Sequence, residues 1–327
     1  MSSSNARYRY ITVPLHYLRH VEINLAAWDA CVAAAQQSVP YAHSWWLAAT
    51  AGRWDAVVEV EASTGAYCSV LPLPVKRRLW GRQVYQPAFT QQLGLLTTAA
   101  SQCHNLAAYL ALTAGRFGRF YTQTNVANGL AGPLPGFTLA ERRTYLLDLS
   151  PDYASLAAGY AADYRRRLRL QQRHTQPLLI AEASSPDELI RLFRVHKGGE
   201  VISLKERHYR QLAFLTAALQ ARQQACIVEV RQPETHELVA GALFVRHRGG
   251  LIYLFAAASL AGKKAGAPVL LLDHLIRQYA GTPGFTLDFE GGVIPSIARF
   301  FANFGATPAP YAALSFTTHP WYLLWKP

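Results

Sequence analysis

FTLDFEGGVIPSIARFFANFGA, residues 285–306, is the stretch that decides the fold of this 327-residue chain. It opens after a Pro-Gly turn with β-rich residues, which predict a short strand. Asp288 and Glu290 stand at the end of that strand, and two glycines follow that allow a sharp turn and a close approach by another group. Pro295 predicts the start of a phenylalanine-rich helix, and Gly305 predicts its end. Carboxylates at a strand end lie where α/β folds usually place their chemistry.

The composition indicates a chain with room for two domains and a preference for anionic partners. Hydrophobic residues make up 51% of the sequence, enough for a core in each domain. Lys and Arg number 32 against 20 acidic residues, which gives a net charge of +12. Such an excess favours nucleic acid, a phosphorylated cofactor or a membrane surface as the partner.

The cysteines and the hydropathy pattern bear on the location of the protein. Cys31, Cys68, Cys103 and Cys226 form no CxxC or Cys/His spacing, so we expect no disulfide framework, no metal site and a reducing cytoplasm. We expect no export signal and no transmembrane segment, since no run of about 18 apolar residues occurs. The aromatic segment 319–325 is a candidate for peripheral membrane contact or for a packed final strand.

The order of predicted elements is repeated along the chain. Each half reads as a strand, two helices, three antiparallel strands, a helix and further strands. This order predicts an α/β (α+β) protein with two domains, 1–150 and 151–327, each a mixed, mostly antiparallel sheet flanked by helices. A basic helix, 153–174, is predicted to join them, with Arg165 and Arg169 on its charged face.

Three stretches of the sequence resemble known acyltransferases. They are TYLLDLSPDYASLAAGYAADYRRRLRLQQRH (144–174), FRVHKGGEVISLKERHYRQL (193–212) and LDFEGGVIPSIARFFANFGATPAPY (287–311). The second half resembles a GNAT acyltransferase domain, and both halves together resemble the Fem-type aminoacyl and peptidyl transferases and the BioF-like acetyltransferases. The resemblance implies two tandem GNAT-like domains, the first degenerate and on the acceptor side, the second catalytic and donor-binding. Fem enzymes that use aminoacyl-tRNA tend to have Lys where this sequence has Phe301, which weakens the case for tRNA as the donor.

Acyl transfer to an amine needs a group that removes a proton and a group that assists the departing carrier. Asp288 and Glu290 are the candidates for the base or for binding the ammonium form of the acceptor. The alternative is that Asp288 caps local turn amides and that Glu290 is solvated. Tyr253, on the predicted central strands, is a candidate to protonate a leaving thiolate or, alternatively, a packed core residue.

The segment SLAGKKAGAP, 259–268, is the candidate donor-binding loop. It follows a predicted strand and precedes a predicted helix, where backbone amides attract phosphate. Gly262 and Gly266 are expected to expose amides, and Lys263 and Lys264 add positive charge. In a GNAT domain this position binds the pyrophosphate of coenzyme A, as the resemblance implies. A solvated lysine turn is the alternative.

Six further polar side chains are candidate substrate ligands: Lys197, Lys205, Arg165, Arg169, Gln86 and Gln91. The two lysines flank a glycine pair and could clamp an anion. The two arginines could follow the phosphates of a polyanion. The two glutamines lie among aromatic residues, a composition that suits a sugar or peptide groove. The alternatives are exposed lysines and arginines and a packed irregular strand.

The sequence and the resemblance together predict an N-acyltransferase. It would move an acyl group from an activated carrier, most simply acyl-CoA, to a primary amine of an amino-sugar, peptide or cell-envelope precursor. The site would lie between the domains, near Glu290, Tyr253 and the 262–268 loop, with direct attack by the amine. A Fem-type aminoacyl-tRNA-dependent transferase acting on peptidoglycan precursor, and a non-catalytic binding module, remain as alternatives.

Overall fold

The computed structural model describes residues 15–37, 39–78, 81–129, 132–197 and 204–318. The aromatic segment 319–325 and the glycine pair 198–199 lie outside the described residues. Among the helices of the described residues, none is both long and apolar enough to cross a membrane.

The described strands join in a single mixed sheet of 13 strands. In chain order they are β1 (Leu15–Leu18), β2 (Trp54–Val60), β3 (Tyr67–Arg78), β4 (Gly81–Val84), β5 (Leu96–Thr97), β6 (Arg119–Gln123), β7 (Thr138–Asp148), β8 (Leu179–Ala183), β9 (Ala225–Arg231), β10 (Leu238–His247), β11 (Gly250–Ala258), β12 (Thr286–Asp288) and β13 (Thr307–Thr317). Their order across the sheet is β1-β2-β3-β4-β6-β13-β7-β12-β11-β10-β9-β8, with β5 paired to β3. Only the pairs β11–β12 and β4–β6 are parallel among the described strands, which confirms the predicted mixed, mostly antiparallel sheet.

Helices flank the sheet, as predicted. They are α1 (Leu25–Ala34), α2 (Ser44–Thr50), α3 (Leu106–Ala111), α4 (Tyr153–Ala158), α5 (Ala162–Arg173), α6 (Asp187–Lys197), α7 (Glu206–Gln220), α8 (Leu260–Ala265), α9 (Ala267–Tyr279) and α10 (Pro295–Ala302). In the second half, α6 and α7 cover one face of the sheet together with α1 and α2. The other face packs against α5, α9 and α10.

Strand β10 shows why this part of the chain is a buried strand. Leu243 and Val245 contribute to the core on the α6–α7 face, and Ala242 and Phe244 contribute to the core on the α9 face. Side chains alternate between the faces of a strand, so a run that is apolar at every position must be covered on both sides. Strand β10 is therefore buried between two layers of helices. Strand β11 pairs with β10, and β12 pairs with β11, so both lie in this buried part of the sheet.

The predicted basic helix, 153–174, is wrong as a single element, because it is broken into α4 and α5. The break buries the side chain of Tyr160, whose ring packs at 5.2 Å from that of Phe304. After it, Ala161 donates its backbone N–H to the carbonyl of Asn303 at 2.8 Å. The helical spacing of apolar residues runs through Tyr160, so it could not predict that the helix breaks there to pack this tyrosine beside α10.

Two strands are exchanged between the halves of the chain. Strand β7, from the first half, lies between β12 and β13, which both come from the second half. Strand β13, from the second half, lies between β6 and β7 of the first half. The division at residues 150 and 151 stays a prediction, and the sheet crosses it without interruption.

Candidate active site

The acidic corner, which we define as residues 288–290, begins at Asp288, the last residue of β12. Glu290 has a left-handed backbone, with φ of 46°, and Gly291 and Gly292 follow with φ of 154° and 132°. A Cβ at Gly292 would lie 2.6 Å from the ring of Tyr145, so the turn needs glycine there. A left-handed glutamate costs about 1–3 kcal/mol, and such strain clusters at functional sites. The corner is therefore a candidate site on its backbone alone.

Phe289 anchors the corner to the C-terminal helix. Its fully buried ring stacks on Phe301 of α10 at 4.7 Å and lies 6.0 Å from Phe304. The phenylalanine-rich helix therefore faces a core. Because side chains alternate along a strand, Asp288 projects on the side opposite to Phe289. Phe289 thus anchors the acidic corner to α10 while the carboxylate of Asp288 lies on the other side of the strand.

The two carboxylates are hydrogen-bonded within the protein. Asp288 Oδ1 accepts a hydrogen bond from the hydroxyl of Thr144 and one from the backbone N–H of Glu290 at 2.9 Å. Glu290 Oε1 accepts a hydrogen bond from the hydroxyl of Tyr41. Asp288 therefore does cap a turn amide, as one alternative predicted, whereas Glu290 is tied to the first half of the chain rather than freely solvated.

Burial raises the pKa values of both carboxyls above those of ordinary carboxyls. Burial raises the pKa of Asp288 to about 6, against the opposing hydrogen bonds from Thr144 and Glu290 N–H. Burial, and to a lesser extent the charge of Asp288, hold the pKa of Glu290 well above its usual range, although the Tyr41 hydrogen bond opposes this. At neutral pH, Asp288 is therefore mostly ionised, and Glu290 holds its proton more tightly than an ordinary glutamate does. Two neighbouring carboxyls can serve as a base and an acid when their surroundings shift their pKa values.

Tyr253 lies on the other side of the sheet from the carboxylates. Strands β11 and β12 pair only up to Ile252 and Asp288, and β11 continues beyond β12. Tyr253 follows that last pair and packs against Phe289 at 6.3 Å and Phe301 at 6.2 Å. Burial raises its pKa. The structure does not bring Tyr253 into either cavity that the carboxylates line.

Glu290 lines a cavity of about 1220 Å³, which we call the basic cavity. Five cationic side chains also line it: Lys76, Arg77, Arg78, Arg142 and Arg207. Among the described residues, none of the five forms an ion pair with a carboxylate. A cavity with several uncompensated cations attracts anions, and phosphate groups above all.

The cations of the basic cavity affect one another. The ammonium of Lys76 lies 4.3 Å from the ring centre of Tyr85. Burial, and then the nearby arginines Arg78, Arg119 and Arg207, lower the pKa of Lys76. An anion entering the cavity would relieve this repulsion. The run Lys76-Arg77-Arg78 is the signal in the sequence that could have revealed the cavity.

The predicted glutamines Gln86 and Gln91 both line the basic cavity. The amide of Gln86 donates to the carbonyl of Thr90 at 2.7 Å and accepts from the N–H of Gln123 at 3.0 Å. Gln86 thus orders the wall of the cavity, and Gln91, whose Oε1 accepts from Gln92 at 3.0 Å, lies beside it. Their part in binding a substrate stays a prediction.

A second cavity, of about 500 Å³, lies next to the acidic corner. Its walls include Tyr41, Asp288, His247 and Arg248. Tyr41, which lines the second cavity, donates its hydrogen bond to Glu290, which lines the basic cavity. The acidic corner therefore separates the two cavities. Tyr41 is 249 residues from Glu290 along the chain and carries no sequence signal that could have revealed it.

The prediction of a donor loop at residues 259–268 is wrong, because most of this segment forms helix α8. Its N–H groups are used inside the protein: Gly262 donates to Ser259 Oγ at 3.0 Å, and Gly266 donates to the carbonyl of Lys263 at 3.2 Å. Residues 262–266, with Lys263 and Lys264, line neither the basic cavity nor the second cavity. They lie beside α5, where Gln171 donates to the carbonyl of Ala265 at 3.0 Å. A role in donor binding stays a prediction without the expected free amides.

The remaining candidates are scattered. Lys205 is exposed just before α7, two residues from Arg207 of the basic cavity. Arg165 and Arg169 are exposed on α5, which covers the opposite face of the sheet from α7. Lys197 is the last residue of α6, and its side chain lies outside the described residues. The structure does not bring these four together.

A metal centre has no evident ligands in the described part of the chain, where no cluster of three or more His, Cys, Asp or Glu side chains occurs. All four cysteines are free.

Comparison with known proteins gives the class of the fold. Residues 158–295 match the family model of the acetyltransferase (GNAT) domain. The structure of FemX is similar with a TM-score of 0.62 at 12% identity, covering 95% of this chain and 99% of that one. A tandem GNAT protein from the clavulanic acid biosynthesis pathway is similar with a TM-score of 0.51 at 15% identity, covering 94% of this chain and 99% of that one. No curated protein matches this sequence.

The C-terminal domain (DUF2156) of a putative lysylphosphatidylglycerol synthetase from Agrobacterium fabrum is also similar, with a TM-score of 0.52 at 11% identity, covering 90% of this chain and 92% of that one. Such low identities show a common fold. The chain therefore has a GNAT-type acyltransferase fold. More particularly, residues 158–295 are similar to the acetyltransferase (GNAT) domain, and the fold of the whole chain is similar to the folds of FemX and of the tandem GNAT protein.

Proposed function

We propose that this protein is an N-acyltransferase that moves an acyl group from a phosphate-bearing carrier, most simply acyl-CoA, to a primary amine. The observation that carries the proposal is the half-buried pair Asp288 and Glu290, set at the boundary between two cavities on a GNAT-type fold. Amines of amino-sugars, peptides and cell-envelope precursors are the acceptor classes. The free cysteines favour the reducing cytoplasm as its location.

The acid–base roles follow from the protonation states of the pair. Asp288, mostly ionised at neutral pH, takes a proton from the acceptor ammonium. Asp288 passes that proton to solvent, and the free amine nitrogen attacks the thioester carbonyl. As the new C–N bond forms, the second proton of the nitrogen passes to Asp288, and the C–S bond breaks without a covalent enzyme intermediate. Glu290, whose pKa is raised by burial, donates a proton to the departing thiolate. Tyr41 holds the Glu290 carboxyl in place through its hydrogen bond.

The basic cavity supplies the binding site for the carrier. Its five cations surround the cavity wall in which Glu290 lies, so phosphates bound there would bring the carrier next to the proposed acid. Lys263 and Lys264 remain a second candidate for phosphate binding, from the resemblance to GNAT domains. The basic cavity is favoured because its cations and a proposed catalytic carboxyl share one volume.

A thiol-release assay tests the proposal. The protein is incubated with acetyl-CoA and a panel of primary amines, free thiol is followed by colour, and N-acetylated product is confirmed by mass spectrometry. We expect product with at least one amine, and calorimetry should show that coenzyme A binds. If neither product nor heat of binding is found with coenzyme A, acyl-CoA is excluded as the donor.

Aminoacyl-tRNA is the second candidate donor, favoured by the fold likeness to FemX over nearly the whole chain and by the uncompensated cations of the basic cavity. Filter binding of charged tRNA at about 50 mM and about 200 mM salt tests it, because contacts to several phosphates make affinity fall by orders of magnitude over that range. Tight, salt-sensitive binding would favour this donor. If neither coenzyme A nor charged tRNA binds, both donors are excluded, and the remaining hypothesis is a non-catalytic binding module.

A further inference from the structure

The two cavities that meet at the acidic corner differ in their charge. We propose that the phosphate-bearing donor enters through the basic cavity and that the acceptor enters through the second cavity as a compact organic amine without phosphate. This inference rests on the proposed function and adds the class of acceptor and its route. Its basis is the position of the two carboxyls, the charges that line each cavity and the size of the second cavity.

Each carboxyl of the corner belongs to a different cavity. Asp288 lines the second cavity, and Glu290 lines the basic cavity. The hydrogen bond from Tyr41 to Glu290 lies where the two cavities meet. A base must lie on the side of the amine and an acid on the side of the leaving group. The corner has this arrangement if the amine comes through the second cavity and the carrier through the basic cavity.

Among the described residues that line the second cavity, none offers a free positive charge. Its wall includes Arg248, whose guanidinium donates to backbone carbonyls at the end of α1, those of Ala33, Ala35 at 2.9 Å and Val32 at 3.3 Å. Those carbonyls carry the negative end of the helix dipole and offset the arginine charge. The other charged or titratable groups in the wall are Tyr41, His247 and Asp288.

His247 does not add a cation at neutral pH. Burial is the main cause that lowers its pKa to about 4, and His43 and Arg248 lower it further. The ring of His43 lies 5.9 Å from that of His247 and faces Asp29, whose carboxylate is 3.5 Å away. With His247 neutral and Arg248 engaged, the charge that a ligand meets in the second cavity is the carboxylate of Asp288. An ammonium group is attracted to it, and a phosphate is repelled.

The size and walls of the second cavity favour a compact acceptor. A volume of about 500 Å³ accommodates a small organic molecule rather than a nucleotide-linked precursor. Three glycines, Gly249, Gly250 and Gly284, line it and let a ligand approach the backbone. Val39 and Pro40 supply an apolar wall on the other side. An amino-sugar or a short peptide amine has the matching size and charge.

Two tryptophan substitutions test the separate routes. Ala127→Trp narrows the second cavity, and Ala88→Trp is its matched control in the wall of the basic cavity. Val39→Trp, from another wall of the second cavity, serves if Ala127→Trp fails to fold, as judged by circular dichroism and thermal melting. The probes are glucosamine and glycinamide, both organic cations, followed by ligand-observed NMR, and inorganic pyrophosphate, followed by calorimetry.

We expect Ala127→Trp to weaken binding of the amines by about tenfold or more and to leave pyrophosphate unchanged. Ala88→Trp should do the reverse. The proposal is overturned if one variant weakens both kinds of probe, if the pattern is reversed, or if neither amine binds the wild-type protein. These measurements need no turnover. If each variant weakens only its own kind of probe but the protein forms no N-acyl product, the proposed function is wrong and the separate routes stand. If the protein forms product but one variant weakens binding of both kinds of probe, the separate routes are wrong and the proposed function stands.

Discussion

The basic cavity and the lysine turn of α8 are both short runs of positive charge in the sequence, yet the fold uses them differently. Lys76, Arg77 and Arg78 end a strand and meet Arg142 and Arg207 from distant segments around a single volume. Lys263 and Lys264, in contrast, are exposed on the surface of α8 and line neither cavity. Positive charge that converges on a cavity is available to a ligand, whereas single charges on an exposed helix surface are screened by solvent.

The backbone sharpens the contrast. The turn of α8 needs Gly262 because a Cβ there would overlap the carbonyl of Val239. The glycine thus serves close packing against β10, and its N–H is taken by Ser259. A glycine-rich lysine turn resembles a phosphate loop in sequence, but its amides bind anions only if they are left free.

The largest expected effect is on catalysis beside the basic cavity. Glu290→Gln removes the proton donor while keeping the size of the side chain, and we expect kcat to fall by about 10²–10⁴-fold. Asp288→Asn should have an effect of the same order, and the wild-type rate should fall as the pH drops through about 6, where Asp288 gains its proton. Steady-state kinetics over a pH series measure both.

Glu237→Gln, in the exposed turn between β9 and β10, is the matched control and should keep wild-type kcat. If Glu290→Gln keeps wild-type kcat as Glu237→Gln does, the acidic corner has no catalytic role. The basic cavity would then be no better a candidate for the active site than the lysine turn.

Charge reversal compares the two basic regions directly. Arg77→Glu with Arg78→Glu, and Lys263→Glu with Lys264→Glu, change the net charge of the protein equally. We expect the arginine pair to weaken coenzyme A binding by about 10- to 100-fold and the lysine pair to change it by less than about twofold. Calorimetry at one salt concentration measures both. If only the Lys263→Glu, Lys264→Glu variant binds coenzyme A more weakly, the donor site lies at α8 and not in the basic cavity.

The pH dependence of stability gives a smaller effect. The folded-state pKa of Asp288, about 6, lies above the value of about 3.9 in an unfolded chain. Protonated Asp288 therefore favours the folded state below about pH 4, and this contribution is lost as the pH rises through about 6. We expect Asp288→Asn to remove about 1–3 kcal/mol of the pH-dependent change, measured by urea unfolding at about pH 4 and about pH 8. An unchanged pH dependence would show that the folded protein does not raise the pKa of Asp288.

Tyr41→Phe should have the smallest effect on stability. It removes one hydrogen bond to Glu290, and we expect unfolding free energy to fall by about 1 kcal/mol. The pH profile of kcat should shift as well, because Glu290 loses a donor that favours its ionised form. Tyr67→Phe, which removes a hydroxyl that accepts from Asn24 N–H at 3.1 Å, is a control that should leave the profile unchanged.

Local patterns predicted what depends on local structure. The strand, acidic corner and helix at residues 285–306 were predictable because the turn residues and the phenylalanine spacing act within a few residues. The continuous apolar run of β10 likewise predicts a buried strand. Resemblance supplied the GNAT-type fold, which the family match over residues 158–295 supports.

The rest depends on contacts between distant segments. The bond between Tyr41 and Glu290, and the convergence of Arg142 and Arg207 on the run at 76–78, are set by tertiary packing. The break that buries Tyr160 is likewise set by α10, more than 130 residues away, although the helical period runs through it. No pattern in one segment can record such partners.

The exchange of β7 and β13 has a consequence for how the protein assembles. Strand β13 fills a gap between β6 and β7, so the first half cannot complete its sheet until residues 307–317 have left the ribosome. Until then, β6 and β7 present open edges that invite aggregation. We therefore expect fragments cut at residue 150 to be poorly behaved on their own, and chaperones to act on the nascent chain until translation has passed this strand.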